Sequence, residues 1–223
     1  MNILEIDSIQ KSFDYKKVLT DVYLRCQTGE IIGLLGRNGS GKSVMLKIVC
    51  GLLSANFKFV RINGAKATTD YLIKEIAYLS QNNFIPQHLT VQKVILLSIC
   101  LEEQKNFKDN PFITTIINRR INELSGGELR FLEIMIVLSN RASSVLLDEP
   151  YNGLSPLMIE QVNSVIVERS KIKGIIITDH NYTNILALST KLVVMRSGKL
   201  YHLNDNKELT RYGYLNLLEE EKR

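Results

Sequence analysis

Three cysteines, Cys26, Cys50 and Cys100, are all that the 223 residues contain. They are odd in number, far apart and set in apolar runs. That pattern excludes a disulfide framework or a zinc site and points to buried free thiols in a reducing compartment. Long apolar runs are missing too. The longest, residues 94–101, is interrupted by Ser98 and falls far short of the ~20 residues a membrane helix needs. The first seven residues are acidic and lack the basic start and apolar core of a signal peptide. The chain is therefore expected to be cytosolic, with any membrane role coming through a partner. There is no Lys/Arg cluster either: the net charge of +5 is spread along the chain, so a solvated surface accounts for it and no direct nucleic-acid contact is expected. Repeats, linkers and low-complexity tracts are absent.

What is present is a globular composition, 45% hydrophobic and 23% charged, long enough to bury a core. Its organising stretch is Gly36-Arg37-Asn38-Gly39-Ser40-Gly41-Lys42-Ser43, which fits G-x-x-x-x-G-K-[ST]. An apolar run at 31–35 reads as a buried parallel strand before it, and 44–50 reads as a helix after it, with Gly51 placed to end the helix. Strand, glycine loop and helix point backbone N–H groups and a helix N-terminus at one spot, which suits a polyphosphate. Gly36, Gly39 and Gly41 allow positive φ and close approach to an anion. Lys42 then reaches the β/γ-phosphates and Ser43 ligates Mg²⁺. A nucleoside triphosphate, ATP or GTP, is the expected ligand, and a basic nucleotide pocket would take up part of the net charge.

The remaining pattern alternates strands and helices. Residues 3–9 and 18–26 alternate as antiparallel strands. Residues 59–62 with Asn63-Gly64 read as a strand and hairpin turn, 76–79 as a strand ending at 80–83. A helix is expected from Thr90, as N-cap, to about residue 101, a loop at 107–111 and a helix over 113–121. Ser125-Gly126-Gly127-Glu128 has the S-x-x-E capping box ahead of an apolar run to residue 138. Residues 145–147 form a strand ending in Asp148-Glu149-Pro150. Ser155-Pro156 opens a helix to about Arg169. Residues 174–178 are a buried strand ending at Asp179-His180, 192–203 a hairpin turning at Ser197-Gly198, and 208–218 a helix. The result is an α/β fold.

Four strands thus end at the glycine loop, Gln81, Asp148-Glu149 and His180, and in open α/β sheets ligands sit outside the carboxyl ends of strands. Asp148 and Glu149, adjacent at a strand end, project differently and divide the labour. A lone histidine is usually structural or at the surface, as His88 and His202 are read here. His180 differs because it follows a buried strand.

The glycine loop, residues 124–128 (Leu-Ser-Gly-Gly-Glu), 146–150 (Leu-Leu-Asp-Glu-Pro) and 178–180 (Thr-Asp-His) stand in the order and spacing of ATP-binding cassette (ABC) ATPases, and the resemblance covers nearly the whole chain. It implies a RecA-like P-loop NTPase core with an antiparallel β subdomain and an inserted helical subdomain, the core at about 1–83 and 141–223 and the insertion at about 84–140. It makes ATP the nucleotide, held by Asn38, Ser40 and Val44 together with Gly36, Gly39, Gly41, Lys42 and Ser43. Asp148 then holds Mg²⁺ with Ser43 and Gln81, and Glu149 polarises the attacking water as general base. His180 contacts the γ-phosphate, Lys42 the β- and γ-phosphates, and Gln81 also senses the surface that touches a transport partner. Phe13 aligns with the aromatic that stacks on adenine, with Tyr15 a rival. Ser125, Gly126 and Gly127 would complete the site of a second, head-to-tail subunit.

The resemblance also implies a transporter's ATPase subunit, a peripheral protein on the cytoplasmic face of the membrane, dimeric around ATP and driving separately encoded membrane subunits. A soluble ABC ATPase acting on nucleic acid or the ribosome, or a non-hydrolysing regulatory cassette, are the competing readings. Residues 124–130, 132–134 and 177–181 resemble ATPases of lipopolysaccharide export and of branched-chain amino-acid transport. Two positions depart from the family pattern. Val44 replaces a hydroxyl residue after Ser43, so binding weakens at most, and Ser155 replaces the Asp that communicates across the dimer.

Overall fold

The computed structural model describes residues 1–180, 182–203 and 205–213. Two sheets are stacked. The first is four-stranded and antiparallel, in the order β2-β1-β4-β5, formed by β1 (Ile3–Phe13), β2 (Lys16–Gln27), β4 (Phe57–Ile62) and β5 (Ala65–Lys66). The second has β3 (Ile31–Leu35), β6 (Ile76–Leu79), β7 (Ser144–Asp148), β8 (Gly174–Thr178), β9 (Lys191–Arg196) and β10 (Lys199–Leu203) in the order β10-β9-β3-β8-β7-β6. Its strands run parallel except β10, which pairs antiparallel with β9.

The uninterrupted apolar strands of the second sheet follow from burial on both faces. Ile32, Leu34, Leu146, Ile176 and Val193 face the first sheet, in a core with Leu4, Ile6, Leu24 and Met45. Their neighbours Ile31, Leu35, Val145, Leu147, Ile175 and Ile177 face the other way, into a core with helices α3 (Val91–Ser98), α6 (Gly126–Ser139) and α7 (Pro156–Ser170). The alternation along each strand divides the molecule into these two cores.

Local signals set most boundaries. Thr90, Ser125 and Ser155 cap α3, α6 and α7 with their hydroxyls. Asn63-Gly64 and Ser197-Gly198 both have positive φ at their two residues, as two-residue hairpin turns require. Other expectations need correction. The α3 helix stops at Ser98, because Ile99 is extended, and a separate helix α4 (Leu101–Lys108) occupies part of the expected loop. It forms because Phe107 is buried against the larger core, with acids in its first turn and lysines in its last matching the helix dipole. Helix α5 (Pro111–Ile116) starts earlier and ends sooner than expected, since the Asn110 side chain accepts from the N–H groups of Phe112 and Ile113. Two short helices, α2 (Thr69–Glu75) and α8 (Tyr182–Leu188), escape the periodicity reading altogether. The expected terminal helix is a 3-10 turn over Asn206–Tyr212, and its remaining residues, 214–218, lie outside the described residues. Cys26 and Cys50 are buried free thiols, while Cys100 is only half-buried. Among the described residues no helix is long and apolar enough to cross a membrane.

Candidate functional site

The parallel sheet delivers β3, β6, β7 and β8 to the same edge, and the tips of all four meet there. Between β3 and α1 (Lys42–Val49) the chain turns through Gly41 at φ 109°, a conformation that favours glycine, and a Cβ there would lie 2.8 Å from Leu19. Gly41 caps α1 with no side-chain acceptor, so the first-turn N–H groups keep their positive field for an anion. A cavity of about 360 Å³ opens there, lined by residues 38–44 with Val18, Gln81, Glu149 and His180.

Lys42 is buried, and its ammonium donates to the carbonyls of Gly36 (2.6 Å) and Arg37 (3.4 Å). Burial lowers its pKa, opposed by the charges of Glu149, Asp148 and Asp179. Behind the loop, a chain of hydrogen bonds runs from Gln81 Nε2 to Ser43 Oγ (3.1 Å) and from that hydroxyl to Asp148 Oδ1 (3.1 Å). Thr178 Oγ1 also donates to Oδ1 (3.0 Å), and the Tyr78 hydroxyl donates to Oδ2 (3.0 Å). Fully buried Asp148 is thus held by three hydroxyls, and desolvation with its charge pushes the Tyr78 phenol well above its usual range. The amide, hydroxyl and carboxylate oxygens gathered here are hard donors, and they fit a Mg²⁺ that keeps several waters. Among the described residues no cluster of three His, Cys, Asp or Glu side chains forms a metal site, so such an ion would depend on these mixed donors and the phosphates.

Glu149 follows immediately with φ 50°, a left-handed conformation costing about 1–3 kcal/mol for a residue other than glycine. Its N–H donates to the Thr178 carbonyl (2.9 Å) and hydroxyl (3.2 Å). The turn swings its carboxylate away from Asp148 and into the cavity, 2.8 Å from His180 Nε2. The two adjacent acids do point apart.

A larger cavity, about 650 Å³, lies beside the same loop, sharing Val18 and residues 38–40. Lys16, Lys17, Arg37, Arg196 and Arg211 line it, and among the described residues no carboxylate or histidine does. It adds positive potential without groups for proton transfer, so the chemistry belongs to the smaller cavity.

Three sets of expected residues lie elsewhere. Gly36 is buried beneath the loop as an acceptor for Lys42. Phe13 is 44% exposed and lines neither cavity, with Lys11 Nζ 4.8 Å from its ring centroid, while Tyr15 is fully exposed. Ser125 and Gly126 are exposed at the start of α6 and line neither cavity. There the Ser125 hydroxyl accepts from Glu128 N–H (3.2 Å), and the Glu128 carboxylate accepts from Ser125 N–H (2.7 Å) and meets Arg119 at 2.8 Å. Gly127 packs so tightly on the 151–155 turn that a Cβ would sit 2.5 Å from the Gly153 carbonyl.

Sequence reasoning missed Tyr78 and Thr178 as holders of Asp148, and also missed Arg130 and Glu133. The last two carried a signal: an Arg and a Glu three apart in an otherwise apolar run must be paired if the helix is buried all round.

A glycine loop, a buried aspartate and a paired glutamate and histidine at the strand tips define a P-loop α/β protein of the nucleotide-hydrolysing kind. The family model described as "ABC transporter" matches residues 19–152. The chain belongs to the ABC transporter family, as a nucleotide-binding ATPase cassette. It is 30% identical over 215 residues to a protein of Haemophilus influenzae named "Lipopolysaccharide export system ATP-binding protein LptB", covering 90% of this chain and 89% of that one. It is also 30% identical to a "Probable ABC transporter ATP-binding protein" of Azorhizobium caulinodans, covering 90% and 76%. Its fold superposes with a TM-score of 0.84 on "Structure of ATP binding subunit of ABC transporter", at 21% identity and 95% and 93% coverage.

Proposed function

We propose that this cassette is a transporter's motor subunit that binds ATP with Mg²⁺, pairs head to tail with a second cassette, and hydrolyses the nucleotide at the closed interface. One observation carries the reading. The cavity gathers the glycine loop, Gln81, Glu149 and His180, while Ser125 and Gly126 stand exposed outside it. A second helix N-terminus, capped at Ser125 and Glu128 but with the Gly126 and Gly127 backbone between them, then remains for the γ-phosphate of another copy. In this reading Lys42 and the N–H groups of residues 39–44 hold the phosphates. Ser43, Asp148 and Gln81 hold Mg²⁺, which neutralises phosphate charge when bound. Glu149 takes the proton of the attacking water, and His180 keeps the Glu149 carboxylate and the γ-phosphate in register. Phe13, with an exposed ring, stacks on adenine once its Lys11 neighbour moves aside.

Relatives named as ATP-binding proteins of export and import systems support a membrane partner. The cassette then sits on the cytoplasmic face, its partner docking along Gln81 and residues 84–89, where Phe84 is half-exposed. The helical insertion at 84–140 is the subdomain that carries residues 84–89 of this surface and the Ser125 corner.

The test is Glu149→Gln, which removes the base and keeps the shape. The variant should bind ATP, lose at least about 100-fold in kcat, and run as an ATP-dependent dimer on gel filtration. Hydrolysis at the native rate would remove Glu149 from the role of base.

A further inference from the structure

Helix α6 is buried along most of its length, yet it carries Arg130 and Glu133, 4% and 0% exposed. Charges are kept there only with partners of good geometry. The Arg130 guanidinium donates to four backbone carbonyls: Ser80 (2.6 Å), Asp148 (3.0 Å), Glu149 (2.9 Å) and, through Nε, Pro150 (3.3 Å). Glu133 faces it at 3.5 Å and accepts the Phe84 N–H at 2.7 Å.

The identity of those carbonyls matters more than their number. Ser80 immediately precedes Gln81 at the end of β6, and residues 148–150 wrap the end of β7. One planar side chain therefore ties together the two strand tips that carry Gln81 and Glu149. The Glu149 peptide is also the strained one, at φ 50°. Such a conformation persists only where its surroundings over-determine it. Thr178 holds its N–H side and Arg130 its carbonyl side. Lysine could not replace this clamp, since its three donors radiate from one point whereas the guanidinium fork spans separate acceptors.

We infer that Arg130 is a positioning residue for ATP hydrolysis: through the carbonyls of Ser80, Asp148, Glu149 and Pro150 it sets the Glu149 carboxylate against the reacting centre, with Glu133 anchoring it to the segment after Gln81. The inference rests on the reading of Glu149 as general base. Arg130 itself lines neither of the two cavities beside the glycine loop.

The experiment compares Arg130→Lys, Glu149→Gln and the double variant by steady-state ATPase kinetics, nucleotide Kd and thermal melting. Arg130→Lys is expected to keep Kd and KM within about twofold while kcat falls about tenfold or more, the cost of a small misplacement of a reacting group. Added to Glu149→Gln, the same change should alter the residual rate by less than about twofold, because the group it positions is already gone. A native kcat for Arg130→Lys overturns the inference, as does a full loss repeated on top of Glu149→Gln, or a loss of Kd matching the loss of kcat. A native rate for Glu149→Gln alone instead overturns the general-base reading. If Arg130→Lys does not fold, Glu133→Gln carries the test, since the amide still accepts from Phe84 N–H but no longer balances the guanidinium. A several-fold lower kcat at unchanged KM supports the inference, and native kcat overturns it.

Discussion

The molecule presents two glycine-rich helix starts, at α1 and α6, and they are built to opposite ends. At α1 the cap residue is Gly41, with no side chain to occupy the first-turn N–H groups, and buried Lys42 and Asp148 close around the same point with half-buried Ser43. At α6 the start is satisfied from within, by the reciprocal Ser125 and Glu128 bonds, and Arg119 offsets the added carboxylate. Both ends carry the same helix dipole. The α1 end is recessed and surrounded by chemistry, whereas the α6 end is stiff, exposed and chemically bare. The tight seat of Gly127 on the Gly153 carbonyl fixes the second surface in shape without covering it. A dipole end becomes a complete site only through what faces it, and among the described residues Ser125 and Gly126 line neither cavity beside the glycine loop.

The comparison breaks most visibly at Lys42. Lys42→Ala removes a buried cation whose proposed contacts to phosphate would be charge-assisted, worth about 1.5–3 kcal/mol, so ATP Kd should rise about 10- to 100-fold. Fluorescent-nucleotide titration measures this, and an unchanged Kd would detach the glycine loop from the ligand. Ser125→Arg should do the reverse. The new side chain projects from an exposed corner outside the cavity, so Kd for the isolated chain stays within about twofold while turnover is lost because closure on a second copy is blocked. Loss of ATP binding in Ser125→Arg would make α6 part of its own chain's pocket and erase the distinction between the two ends.

How much of this could be read beforehand depended on the range of the interaction. Thr90, Ser125 and Ser155 act on N–H groups a few residues away, and both hairpin turns are two-residue events, so their signals are local. The phosphate loop is legible for the same reason. Convergence of Gln81, Glu149 and His180 also came through, because parallel strands must share an edge for their tips. Arg130 did not: its acceptors lie 18 to 50 residues away, and only the packed fold shows which carbonyls a buried guanidinium meets. Tyr78 was read simply as part of an apolar strand, although its hydroxyl serves Asp148 from 70 residues away. The C-terminal end of helix α4 reads as loop at 107–108 because Phe107 is its one buried apolar residue, and helices that short depend on tertiary contact. Phe13 marks the opposite case, where a resemblance supplied a role and the side chain lies outside both cavities.

The smallest expected effect tests whether the α6 end is electrostatically self-sufficient. The Ser125 N–H, and secondarily Arg119, hold the Glu128 carboxyl below the usual glutamate range. A depressed acid stabilises the fold above its unfolded pKa and loses that contribution as pH falls through the folded one. Glu128 is partly exposed and its Arg119 partner more so, so screening limits the effect to about 0.5–1 kcal/mol. Glu128→Gln keeps an acceptor for the Ser125 N–H but not the charge. Urea unfolding should therefore show the variant slightly less stable at neutral pH, with the gap closing below the glutamate range. A gap that stays constant down to acid pH would mean that the cap works by shape alone, with the Glu128 charge adding nothing to the fold.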